Sequence, residues 1–130
     1  MTQERMTAAA YRAMLAGQKP AKYRNKRTKV DGITFDSKAE AARYVELKTL
    51  RAAGEVQWFV LQPRFLLEEG FEKDGVEFEK MEYVADFLIC WADGRITVED
   101  VKGMKTRTYR DKRKLFEKRY PTLKIVEVEA

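Results

Sequence analysis

Between Ser37 and Ala53 the apolar positions recur at helical spacing, with Tyr44 and Leu47 on one stripe. Ser37 and Glu40 have the S-x-x-E spacing of a capping box, and Gly54 follows where a helix C-terminus favours glycine. The pattern then changes to strand-like runs: VQWFVLQPRFLL over 56–67, MEYVADFLICW over 81–91 and RITVEDVK over 95–102. The segment between the first two, rich in Glu, Gly and Lys, reads as a loop or the end of a hairpin. A second helix is expected over 105–119, stopping before Pro121, and LKIVEV forms a closing strand. Upstream, KVDGITF over 29–35 reads as a tight hairpin around Asp31-Gly32. AAAYRAMLAG is a short helix candidate that stops near Gly17, and a basic arm follows it. Helix, three strands, helix, strand is an α/β order: a mixed central β-sheet flanked by helices.

The length of 130 residues suits one domain, expected over 29–130, preceded by a basic helix and arm over 1–28. No apolar run approaches the ~20 residues that span a bilayer, and the start lacks a signal-peptide pattern. A cytoplasmic protein without a membrane partner is the expectation. One cysteine, Cys90, permits no internal disulfide and reads as a core residue. Histidine is absent altogether. That excludes Ser-His-Asp and Cys-His triads and His-bound zinc. Metal chemistry, if present, must use oxygen ligands, which suit Mg²⁺ or Mn²⁺. Charge is segregated: +7 over 1–30, −8 over 31–100 and +6 over 101–130. Basic ends around an acidic centre suit a polyanion partner, although a solvated basic surface has the same composition.

The acidic centre holds the candidate chemistry. Asp100 and Lys102 are two apart on an expected strand, so their side chains leave the same face. Asp86 interrupts an apolar strand, where a lone carboxylate is costly unless it is paired or bound to a cation. Whether Asp86 meets Asp100 depends on the turn at Ala92-Asp93-Gly94. A two-residue loop pairs Ala92 with Arg95 and sets Asp86 against Val101, on the wrong face. A three-residue loop with Gly94 left-handed at a bulge pairs Trp91 with Arg95 and sets Asp86 opposite Asp100. The A-D-G sequence fits the second, and local sequence leaves the first open. Like charges placed opposite each other destabilise a sheet, and a divalent cation between them reverses that penalty. Plainer readings exist: Glu40 as the capping-box glutamate, Asp100 and Lys102 as a solvent-facing pair, Tyr109 and Phe116 as core contacts.

In combination, YVADF, a glycine turn, VEDVKG, a Lys/Arg-rich helix and a closing strand resemble the PD-(D/E)xK nuclease superfamily. The ordering, through Tyr120-Pro121 into LKIVEV, is similar to phage-type Holliday-junction-resolving endonucleases. KYRNKRTKVDGITFDSKAEAARY, with LQPRF later, resembles a phage-encoded family of unknown function. The resemblance covers about residues 22–128. It implies a restriction-endonuclease-like core, with Asp86, Asp100, Lys102 and Glu40 as catalytic residues. It implies Mg²⁺ or Mn²⁺ held by Asp86, Asp100, the Val101 backbone carbonyl and Glu40, the last directly or through water. One departure is Asp100, where Glu is commoner in the family; Glu99, adjacent, points to the other face. The expected activity is endonucleolytic hydrolysis of DNA, with branched DNA such as Holliday junctions as a candidate substrate and a homodimer as the acting form. A phage-encoded protein would act in the bacterial host cytoplasm. Lys22, Arg24, Lys26 and Arg27 on the arm, with Lys105, Arg107, Arg110 and Lys114 near the second helix, are the expected phosphate contacts. The alternative is a DNA-binding or recombination accessory protein that cuts weakly or not at all.

Overall fold

The computed structural model describes residues 26–102 and 105–130. The expected N-terminal helix and the arm residues Lys22 and Arg24 lie outside the described residues. The chain divides into two compact units, one ending at Ala41 and the other spanning Ala42–Ala130.

In the first unit, β1 (Thr28–Val30) and β2 (Ile33–Phe35) pair as an antiparallel hairpin around Asp31-Gly32, where the sequence places it. Helix α1 (Lys38–Ala52) begins there and continues into the second unit. Its N-terminus is capped by the Ser37 hydroxyl, which accepts the Glu40 N–H at 3.1 Å. At its C-terminus Glu55 N–H bonds to Leu50 C=O and Gly54 N–H to Arg51 C=O, with Gly54 at φ +84°. This is the Schellman closure, which needs a left-handed residue at that point.

The second unit is a mixed α/β arrangement with two helices. Its central sheet has the order β10-β9-β8-β3: β3 (Val56–Leu61), β8 (Phe87–Trp91), β9 (Ile96–Lys102) and β10 (Ile125–Glu129). β3 and β9 both run antiparallel to β8, and β10 runs parallel to β9. Helix α2 (Arg107–Arg119) makes the parallel crossover. The Thr106 hydroxyl caps it, accepting the Tyr109 N–H at 3.1 Å, and it ends at Tyr120, before Pro121.

The two longest expected strands are each broken once. β3 continues as β4 (Arg64–Glu68) after a kink at Gln62-Pro63, with Gln62 at φ +49°. β7 (Met81–Val84) precedes β8, with the break at Ala85-Asp86. The breaks face each other: Gln62 N–H donates to Asp86 C=O, and Ala85 N–H to Pro63 C=O. Side-chain alternation reverses across them. Phe59 and Phe87 meet each other, and Phe59 meets Tyr44 of α1. Phe65, Leu67, Tyr83 and Ala85 instead join Val98, Ile125 and the α2 residues Tyr109 and Phe116 in one buried cluster. The segment read as a loop or hairpin end is a second hairpin, β5 (Phe71–Lys73) with β6 (Val76–Phe78).

Candidate active site

Glu99 and Asp100 are neighbours on β9, so they face opposite sides of the sheet. Both are buried. Glu99 takes a bidentate ion pair from Arg43 of α1, at 2.8 and 2.7 Å. That pairing raises the Arg43 guanidinium above its usual value, against the opposing effect of burial. Glu99 is therefore fully committed on the α1 side, and Asp100 is the carboxylate on the α2 side.

The turn between β8 and β9 decides where Asp86 lies. Trp91 N–H donates to Arg95 C=O at 2.8 Å, Gly94 N–H to Trp91 C=O at 2.9 Å, and Gly94 has φ +92°. This is the three-residue loop with a left-handed glycine, and only glycine takes that conformation without steric cost. Phe87 consequently pairs with Glu99 and Cys90 with Ile96. Continued by one residue, that register sets Asp86 opposite Asp100, on the same face.

Asp86 does not complete the ladder. Its N–H donates to Glu99 C=O at 3.0 Å, but the strand breaks there, and its Oδ2 takes the Val101 N–H at 2.6 Å. A side chain thus replaces the main-chain partner that Val101 lacks. Carbonyls alternate sides along a strand. Glu99 C=O faces β8, and Lys102 C=O receives the Ala130 N–H next to β10. The Val101 carbonyl is therefore directed towards the β8 side, where Asp86 stands.

Burial pushes the Asp86 carboxyl up to about 6; the nearby Asp100 adds to this, while the Val101 hydrogen bond and Lys102 oppose it. Asp100 is held from two directions. Its Oδ2 accepts the Tyr83 hydroxyl, and its Oδ1 lies 3.2 Å from Lys102 Nζ. Burial first, and then Asp100, drives the Tyr83 hydroxyl well above its usual pKa, so it stays a proton donor. Lys102 Nζ also lies 4.2 Å from the centroid of the Tyr109 ring. The side chain of Asp100 is 5% exposed and that of Lys102 26%, so the two are not a solvent-facing pair.

Beside this group lies an arrangement that sequence reasoning missed. Glu127 on β10 is the register partner of Asp100. It accepts the Tyr109 hydroxyl at 2.8 Å and Arg113 at 2.7 Å, and pairs with Lys105 at 2.9 Å. Lys105, then Tyr109, hold its carboxyl below the usual carboxylate range. Burial and Glu127 raise the Tyr109 hydroxyl. A parallel closing strand, inferred from the β-α-β order, would have placed Glu127 beside Asp100. Tyr83 carried a weaker signal, its position three residues before Asp86.

The remaining expected residues lie as follows. Glu40 is on the first turn of α1, in the first unit, half-buried and with its amide in the capping box. Lys26 and Arg27 are exposed just before β1. Arg107, Arg110 and Lys114 are exposed on α2, whereas Lys105 is engaged by Glu127. Among the described residues, no group of three or more Asp, Glu or Cys side chains is gathered closely enough to hold a metal ion alone.

Residues 20–129 match a family described as a protein of unknown function, DUF1064. The chain belongs to the DUF1064 family. No curated protein and no solved structure matches it. In this DUF1064 chain, no helix among the described residues is long and apolar enough to cross a membrane.

Proposed function

We propose that this DUF1064 protein is a metal-dependent endonuclease with a restriction-endonuclease-like core, hydrolysing phosphodiester bonds in DNA. The observation that carries the reading is the meeting of Asp86 and Asp100 at a strand break, with Lys102 alongside. Burial first, and the charge of Asp100 beside it, make the ionised Asp86 carboxyl costly and raise it. A divalent cation offsets that cost. Mg²⁺ or Mn²⁺ would be held by Asp86, Asp100 and the Val101 carbonyl, all hard oxygen donors. Bound there, the ion would polarise phosphate and lower the pKa of water. The protein's own groups do the rest. Val101 N–H and Tyr83 fix the two carboxylates, and Lys102 presents a positive charge to an anionic transition state. Glu40 is assigned to the same chemistry by resemblance alone, and Glu40→Gln tests it separately.

The substrate reading is DNA, with branched junctions as the candidate structure and a homodimer making paired cuts. Exposed Arg107, Arg110 and Lys114 on α2, with Lys26 and Arg27 before β1, offer the phosphate contacts. A second reading, DNA binding without cutting, draws on one observation: Asp100 is already engaged through both oxygens, by Tyr83 and Lys102. One experiment separates the two. Labelled junction, flap, duplex and single-stranded DNA are incubated with Mg²⁺, Mn²⁺, Ca²⁺ or EDTA. Cleavage with Mg²⁺ or Mn²⁺ that is lost in EDTA and in Asp86→Asn and Lys102→Ala supports the nuclease. Binding without cleavage under every condition supports the accessory protein, and cleavage in EDTA rules out the mechanism.

A further inference from the structure

The β5–β6 hairpin stands apart from both cores. All residues from Phe71 to Lys80 are exposed, and the two strands pair only with each other. Isolated two-stranded hairpins are marginal in water, so a bare one with apolar side chains asks for a cover. Phe71 and Phe78 stack on one face, with ring centroids 4.8 Å apart, at 55% and 44% exposure. Val76, on the same face, is 54% exposed. On the other face Glu72 and Glu77 are directly opposed across the strands. Like charges so placed destabilise a hairpin unless cations lie over them. Residues 68–80 carry six carboxylates against two lysines, in a chain whose net charge is +5.

The hairpin offers basic side chains two faces: the Phe71–Phe78 stack, with Val76 and Lys73 beside it, and the Glu72–Glu77 pair on the reverse. Guanidinium groups can lie on the rings, and long stems reaching round the narrow ribbon can bring N–H groups to the carboxylates. The protein carries such side chains itself. Arg107, Arg110, Lys114 and Lys118 are exposed along one side of α2, interrupted by Asp111. Arg107 to Lys118 spans about 16 Å of helix. The hairpin leg from Phe71 to Asp74 spans about 10 Å of extended chain, enough to cover the stripe from Arg107 to Lys114.

We propose that the β5–β6 hairpin is a docking arm for a second copy of this chain, seated on the basic stripe of the partner's α2. A two-fold pair is self-complementary, because each copy gives one hairpin and receives one. The association does not depend on any cleavage activity. It does cover Arg107, Arg110 and Lys114, the expected phosphate contacts, so this pairing excludes DNA from the stripe and is a DNA-free form distinct from the homodimer proposed to make paired cuts.

The test is sedimentation equilibrium of the full chain from about 1 to 200 μM, in low and high salt. The wild type should dimerise in low salt and dissociate in high salt. Glu72→Lys/Glu77→Lys should weaken self-association at least about tenfold, as should Arg110→Glu/Lys114→Glu. Mixed together, the two variants should form a heterodimer, because each hairpin then meets a helix of opposite charge. Phe71→Ser/Phe78→Ser, on exposed positions, should also be monomeric while keeping the wild-type circular dichroism. A wild type that stays monomeric throughout overturns the proposal. So does a dimer indifferent to both reversals, or a mixture of the reversed variants that does not associate.

Discussion

Asp86→Asn should stabilise the metal-free protein at neutral pH, an unusual outcome for a residue at the centre of a candidate active site. Asparagine is isosteric with aspartate, and its side-chain oxygen can keep the Val101 N–H, bonded at 2.6 Å in the wild type. What the substitution removes is the ionised form. A carboxyl raised from 3.8 to about 6 by burial, and by Asp100 beside it, is easier to ionise in the unfolded chain. Its contribution to stability is whole below about pH 4. It falls as pH rises through about 6 and is absent above that, so ionised Asp86 then weighs on the fold. At 1.36 kcal/mol per pKa unit the swing is about 3 kcal/mol. Urea unfolding in EDTA at about pH 4 and about pH 7.5 measures it, as the difference between Asp86→Asn and wild type at each pH. The advantage of asparagine should grow by about 2–3 kcal/mol from the lower to the higher pH. Mg²⁺ should then restore wild-type stability but leave Asp86→Asn unchanged. A stability difference independent of pH would refute the reasoning, because the Asp86 carboxylate would then carry no strain for a cation to relieve.

Removing Arg43 strands the buried Glu99 carboxylate, so Arg43→Ala should cost about 3–5 kcal/mol, while the paired replacement Arg43→Met/Glu99→Met should cost much less; chemical denaturation of the set checks this. Tyr109→Phe keeps the ring under Lys102 and loses only the hydroxyl bond to Glu127, whereas Tyr109→Leu loses the ring. If DNA is cut, kcat should survive the first change and fall about tenfold with the second, and equal losses would show that the ring does not position the lysine. Neutralising Lys26, Arg27, Arg110 and Lys114 together should flatten the slope of log affinity against log salt for duplex DNA by about 3.6, if each makes one phosphate contact. An unchanged slope would place the nucleic acid elsewhere.

Local rules made much of the fold legible. The capping serine, the glycine after α1, the Asp31-Gly32 hairpin and the Pro121 stop each act within a few residues, so sequence alone carries them. The register of β8 on β9 was legible only in part: Ala92-Asp93-Gly94 favours the three-residue loop that fixes every pair beyond it, but local sequence left the two-residue loop open. The paired breaks at Gln62 and Asp86 were not. Each arises from bonds to the other strand, made by residues more than twenty apart in sequence. Glu127 escaped because its role depends on which strand β10 joins and in which direction. Tyr109 was read as a core contact, and its ring is indeed buried. Its hydroxyl and its ring face serve Glu127 and Lys102 as well, and a hydrophobic pattern does not distinguish those uses. The exposed Phe71–Phe78 pair went unnoticed because surrounding glutamates gave the segment the composition of a loop.

The reversal of side-chain alternation at the two facing breaks makes the length of the chain there a constraint in itself. Deleting Ala85 would leave every flanking residue chemically unchanged and yet exchange inside for outside along the whole of β7. Tyr83 would turn from the α2-side cluster, and Asp100 would lose its hydroxyl donor in the same event. An inserted residue would do equal damage from the other direction. Substitutions around Asp86 can be graded and compensated one at a time, but changes of length cannot. Change in this ribbon is thus confined to exchanges of side chains within a fixed count of residues, whereas the Asp74-Gly75 tip, which supports neither core, meets no such constraint from the packing of its own chain.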